Sequence, residues 1–324
     1  MSHADFTPSL RLPDPRIEVL DERGLGLRLL SGTVERLFTG CHWAEGPQWF
    51  GDGRFLLFSD IPGDRILRWD ECSGTVSEFR RPSQHANGLA RDRQGRLVAC
   101  EHGTRRLTRT EYDGRITVLA DRYRGKRLNS PNDVVCRSDG SLWFTDPPFG
   151  IQGWWEGEPA EPELPHGLYR LDPGHGEPTL LADDLQGPNG LAFSPDERVL
   201  YVVESRRRPH RCIWACDVTG SGAGTRLANR RLFADAGGPG AYDGIAVDTQ
   251  GNVWCGFGSD GSPGADLEAL DGVRVYGADG RPLLHVHLPE RCANVCFGGA
   301  RNNRLFMAAS HSLYALHVNA RGAV

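Results

Sequence analysis

Six times along this 324-residue chain a polar residue is followed by a short apolar strand, and no other feature narrows the fold as far. The clearest copy begins in Arg127-Leu-Asn-Ser-Pro-Asn-Asp133, runs through Val134-Val135, turns at Ser138-Asp139-Gly140 and returns as Leu142-Trp143-Phe144-Thr145. β-Branched and aromatic runs suit a pleated, half-buried surface, and Asp-Gly supplies the positive φ of a tight turn, so the stretch predicts a β-hairpin. The other copies start at Glu45-Gly-Pro, Asn87-Gly-Leu-Ala, Asn189-Gly-Leu-Ala, Asp243-Gly-Ile-Ala and Asn294-Val-Cys-Phe. Their first residues, with Asn132 in the clearest copy, stand 42, 45, 57, 54 and 51 residues apart. A period of about 50 residues with room for four strands is the pattern of a β-propeller blade. The predicted class is therefore all-β, a six-bladed propeller.

In a propeller the innermost strand of each blade lines a central channel, so Glu45, Asn87, Asn132, Asn189, Asp243 and Asn294 are expected at one mouth of it. A buried polar group left unpaired costs about 1–3 kcal/mol, so two carboxylates and four amides in one place imply a partner that needs oxygen ligands. Asn and Asp before Gly are also ordinary turn formers, and for Asn87 or Asn294 alone that reading stands beside the functional one.

A ring needs its ends joined. Residues 1–33 precede the repeats, and Arg16-Ile-Glu-Val-Leu20 and Gly26-Leu-Arg-Leu-Leu30 read as strands. This extension is expected to give an outer strand to the last blade, beside Ser312-Leu-Tyr-Ala-Leu-His-Val318, with 34–324 forming the propeller; closure removes exposed sheet edges. The longest interval contains the segment from Phe149 to His166, which its prolines and glycines mark as a loop. Its Trp154 and Trp155 either pack on a blade rim or cover the channel mouth.

Charge is nearly balanced, 42 acidic against 37 basic residues for a net −5. That argues against a nucleic-acid partner, and the Arg206-Arg207-Arg208 run reads as a solvated loop. No apolar stretch approaches the ~18 residues of a membrane span, and Met1-Ser-His-Ala-Asp5 lacks the regions of a signal peptide. A soluble cytoplasmic protein without a membrane partner, monomeric or weakly self-associating, is expected. Nine scattered cysteines fit reduced thiols, and strand alternation alone accounts for the Cys212/Cys216 and Cys292/Cys296 spacings. His285 and His287 read as outer-strand residues.

Glu45-Gly-Pro, Asn129-Ser-Pro-Asn-Asp133, Pro188-Asn189-Gly and Tyr242-Asp243-Gly, in this order, resemble the motifs of the SMP-30/gluconolactonase/LRE-like family. The resemblance implies a divalent cation, commonly calcium, on the channel axis, with Glu45, Asn132, Asn189 and Asp243 as its ligands. It also implies that Asn87 and Asn129 lie beside the substrate and that the insertion bearing Trp154 is a substrate loop. The donor chemistry points the same way. Calcium takes 6–8 oxygen ligands, whereas zinc favours His or Cys, and neither occupies the six positions. Magnesium, manganese, zinc and iron(II) stay open.

The implied reaction is hydrolysis of a sugar lactone, an aldonolactone, to its hydroxy acid, with the metal stabilising the oxyanion formed on water attack. Asp243 is the candidate to orient or deprotonate that water; a cation ligand is a poor base, which favours orientation. His102 is read as a proton carrier, a contact to sugar hydroxyls or a hydrogen-bonded turn residue, and Arg127 as a contact to substrate oxygens or a rim charge. Trp154 and Trp155 offer faces for a sugar ring. Two further readings stand beside this one, a metal-dependent phosphotriesterase using the same ligands and a non-catalytic binding propeller, because a fold does not fix its chemistry.

Overall fold

The computed structural model describes residues 6–174 and 176–323, so the reading of residues 1–5 lies outside it. Six antiparallel sheets follow one another around a ring, a six-bladed β-propeller. Their innermost strands are Ala44–Phe50, Ala86–Arg91, Val134–Cys136, Pro188–Phe193, Gly240–Val247 and Cys292–Gly298. The hairpin read from sequence is Val134–Cys136 paired with Leu142–Asp146, with Val135 opposite Trp143. Large side chains such as Trp143, Tyr169, Tyr242, Trp254 and Tyr314 are fully buried between and within the blades, each worth about 1.5–3 kcal/mol of apolar burial.

The polar-Gly pairs that start the repeats have a packing cause. Five of the six inner strands carry a register shift there, as between Glu45 and Gln48 or between Tyr242 and Ile245. Such a bulge re-aims the neighbouring side chain. The following residue then lies against the next blade. A Cβ on Gly46, whose φ is +52, would sit 2.2 Å from the Asn87 carbonyl oxygen, and one on Gly244 would sit 2.0 Å from Asn294 Cγ. Hydroxyls on second strands tie neighbouring blades together at the same level. Ser59 Oγ donates to the Asn87 carbonyl (2.7 Å) and Thr145 Oγ1 to the Asn189 carbonyl (2.9 Å).

The ring is closed by a segment the sequence did not single out. Glu35–Thr39 is the outer strand of the last blade, antiparallel to Ser312–His317. The chain runs from it almost directly into the first blade at Ala44, so the nearest segment upstream of the repeats takes the closing position. Of the two segments expected there, Ile17–Val19 instead extends the fifth blade, pairing with Pro282–His287. Gly26–Leu30 is not a strand: a 3-10 turn spans Glu22–Leu27, started by Asp21, whose side chain accepts from Arg23 N, and only Arg28 bridges to Val318. No helix among the described residues is long and apolar enough to cross a membrane.

Candidate active site at one end of the axis

At the N-terminal ends of the inner strands lies a cavity of about 570 Å³ whose wall includes Glu45, Asn87, Asn132, Asn189 and Asp243. The sixth starting residue, Asn294, supports it from beneath, donating from Nδ2 to Glu45 Oε2 (3.0 Å), which also accepts from Gly46 N (2.7 Å). A larger space of about 870 Å³ occupies the other end of the axis. Its wall mixes aliphatic residues, Leu89, Val134, Leu191, Ile245 and Val295 among them, with polar ones such as Arg91, Asp133 and Asn294, and neither Glu45 nor Asp243 opens into it. Five of the six residues that start the repeats, both carboxylates among them, thus converge on the smaller cavity.

Burial sets the electrostatics there. It lifts Glu45 well above the usual carboxylate range, helped by the adjacent charge of Asp243. Burial also raises Asp243 to about 6, opposed by Arg291 and by a hydrogen bond from Asn189. Arg291 Nη2 donates to Asp243 Oδ2 (3.2 Å) while its Nη1 donates to the Ser259 carbonyl (3.1 Å), so the carboxylate is held in one orientation. Asp133, next to Asn132, is a third axial acid but lines the larger space at the other end; burial raises it to about 7, and its Oδ1 accepts from Val134 N (2.9 Å).

His102 is fully buried behind Asn87 and does not reach the cavity wall. Burial holds it neutral, down at about 4. Its Nδ1 lies 3.2 Å from the Glu156 carbonyl, which can only accept, so Nδ1 carries the proton. Nε2 then accepts from Asn87 Nδ2 (3.3 Å), which fixes the direction of that amide. The turn histidine thus positions Asn87 and fastens the loop above it. Gly150 presses on the same ring: a Cβ there would lie 2.4 Å from His102 Cβ.

The structure does not bring Arg127, Asn129 or Trp154 to the cavity wall. Asn129 is completely buried and spends its amide on the carbonyls of Asp146, Leu164 and Pro165, all at 3.1 Å, which pins the far end of the loop. Arg127 donates to the Thr104 carbonyl (3.2 Å). Of the adjacent tryptophans only Trp155 lines the cavity, set edge-on to His42 at 6.1 Å; Trp154 points away and is 79% exposed. Among the described residues no group of three or more His, Cys, Asp and Glu is arranged to hold a metal, so a cation here would depend on amide oxygens as well as on Glu45 and Asp243.

A model of the SMP-30/Gluconolactonase/LRE-like region matches residues 43–311, nearly the whole ring. The chain belongs to that family. Gluconolactonase of Zymomonas mobilis subsp. mobilis is 33% identical over 312 residues, covering 90% of this chain and 83% of that protein. A pentonolactonase of Haloferax volcanii is 28% identical, covering 86% and 85% respectively. The solved structure of a gluconolactonase from Xanthomonas campestris superposes with a TM-score of 0.83 at 38% identity, covering 96% of this chain and 98% of that one.

Beyond the family motifs the cavity wall carries Trp43, Gln152, Glu156, Arg206, Arg211, Asp260 and Arg291. Sequence reasoning missed them all except Arg206, which it placed on a solvated loop. They come from connections between strands, where no periodicity marks the residue that turns inward.

Proposed function

We propose that this member of the SMP-30/gluconolactonase family is a lactonase that opens a sugar lactone to the hydroxy acid. The observation that carries this reading is the convergence of Glu45 and Asp243 with three axial amides on one cavity, in a chain that aligns over most of its length with gluconolactonases.

The residues fit a hard divalent cation. Two buried carboxylates stand close enough for one to raise the other's proton affinity, and the remaining donors are amide oxygens with neither His nor Cys among them. Glu45, Asn132, Asn189 and Asp243 would hold it, calcium being the ion this donor set suits best. When bound, such a cation would act as a Lewis acid toward the lactone carbonyl. The chain's own groups do the rest. Asp243, clamped by Arg291 and Asn189, is set to orient the attacking water. Asn87, its amide direction fixed by His102, presents its oxygen to substrate hydroxyls. Ile61, Phe149 and Trp155 supply the apolar part of the wall.

The test is turnover of a panel of aldonolactones and simple lactones by purified protein, before and after chelation. Opening of sugar lactones that chelation abolishes and divalent metal restores is the expected result; no turnover of any lactone by metal-loaded protein would refute the reading.

A further inference from the structure

Two ionisable groups on the cavity wall, Glu156 and Arg206, have no close counter-ion of their own among the described residues. Glu156 comes from the loop and its side chain is 29% exposed. Its carboxylate accepts no hydrogen bond among the described residues, and its nearest basic atom is His102 Nδ1, at 3.8 Å, whose proton already serves the Glu156 backbone carbonyl. Arg206 faces the same cavity, stacked 5.0 Å over the Phe149 ring and donating to Gln152 Oε1 (3.2 Å). The other arginines on the wall are committed to carboxylates, Arg211 to Asp260 (2.5 Å) and Arg291 to Asp243 (3.2 Å), whereas Arg206 forms no ion pair among the described residues. Burial, reinforced by the charge of Asp243, raises the Glu156 carboxyl to about 7, and Arg206 and Arg291 oppose that rise across the space without closing on it.

A ligand that satisfies both must donate a hydrogen bond to Glu156 and accept one from Arg206. Hydroxyl groups do both. An anionic substituent would suit Arg206 but meet Glu156, Glu45 and Asp243, and a cationic one would be repelled by Arg206 and Arg291. The backbone around Glu156 is fastened, by His102 below and by Gly157 packed against the Gly150 carbonyl, where a Cβ would come within 2.2 Å. The carboxylate is therefore presented with little ordering left to do on binding.

We propose that Glu156 and Arg206 form a hydroxyl clamp that determines specificity, selecting neutral polyhydroxylated lactones over unsubstituted lactones and over those bearing a phosphate. This rests on the lactonase reading above and names its substrate class. Neither residue is assigned to the chemical step.

The test compares wild type with Glu156→Gln, which keeps the shape, and Arg206→Met, which keeps the stacking on Phe149. Kinetics are measured on glucono-δ-lactone, δ-valerolactone and 6-phosphogluconolactone. Each substitution removes a hydrogen bond to a charged group, so the preference for gluconolactone over valerolactone, as a ratio of kcat/KM values, should fall about 10- to 100-fold, mainly through KM for gluconolactone. Glu156→Gln should also improve the relative use of the phosphorylated lactone, and Glu156→Asp should recover part of the preference. Equal losses on gluconolactone and valerolactone, or an unchanged ratio, would overturn the clamp while leaving the lactonase intact. If wild type opened no lactone at all, the functional reading would fail first. Calorimetric titration with D-glucose, a hydroxylated ring that cannot be opened here, would then decide the clamp: weaker binding by both variants supports it, and equal binding or none by wild type overturns it.

Discussion

Replacing His102 by Gln should make the protein less sensitive to acid. In the folded state burial holds this imidazole at about 4, against an ordinary value of 6.5. The depressed value means that the unfolded chain takes up the proton first. Stability from this group is complete above pH 6.5 and is lost as pH falls toward 4. Between pH 7 and pH 5 the loss from this one residue is about 2 kcal/mol. For a chain of this length that lowers Tm by about 3 °C. Glutamine can keep both neutral contacts, donating to the Glu156 carbonyl and accepting from the Asn87 amide, but it cannot be protonated. Melting curves of wild type and variant at pH 7 and pH 5 make the test. His285, depressed to about 3, and the raised carboxylates of Asp133 and Asp146 titrate in both proteins and cancel from the comparison. The drop between the two pH values should be about 3 °C smaller in the variant. Identical drops would show that His102 is not held neutral and that its tautomer, and with it the orientation of Asn87, was misassigned.

Asp243→Asn and Glu45→Gln should abolish lactone turnover while the far-UV spectrum stays that of wild type; wild-type rates with unchanged metal content would remove both from the ligand set. Chelation should lower thermal stability as well as activity, because a cation saturated at 100 times its dissociation constant stabilises the folded state by about 2.7 kcal/mol; an unmoved melting curve on protein shown to be metal-free would contradict this. Trp155→Ala should raise KM for sugar lactones several-fold and Trp154→Ala should not, since only Trp155 lines the cavity; steady-state kinetics on the two single variants separate them. Gly244→Ala should cost about 1–3 kcal/mol, because its Cβ would overlap the Asn294 amide; chemical denaturation measures it, and a loss below about 0.5 kcal/mol would mean the inner strands are less tightly apposed than these contacts imply.

The ring was legible because its signal is repeated. Six hairpins, each too weak to trust alone, fall at one period, and that period set both the fold and the convergence of Glu45, Asn132, Asn189 and Asp243. What stayed hidden has no repetition behind it. Glu35–Thr39 reads as half-polar and short, and only the need for a last outer strand next to the first blade gives it a partner. In the loop, Glu156, Glu158, Glu161 and Glu163 look alike in sequence, and tertiary contacts with His102 and Gly150 decide which one faces the cavity. The same contacts separate Trp155 from Trp154. Asn129 has the composition of a ligand-binding amide, yet three backbone carbonyls consume its donors.

The hydrogen bond from Asn294 to Glu45 joins residues 249 apart in sequence, across the seam where the last blade meets the first. During synthesis Glu45 leaves the ribosome early and waits, with its neighbours on one side only, until the final blade has been translated and Glu35–Thr39 has docked on Ser312–His317. A nascent chain that has emerged only through its fifth blade already carries all four proposed ligands but has no wall behind Glu45. Catalytic competence should therefore appear in one step, at the end of translation, rather than grow blade by blade.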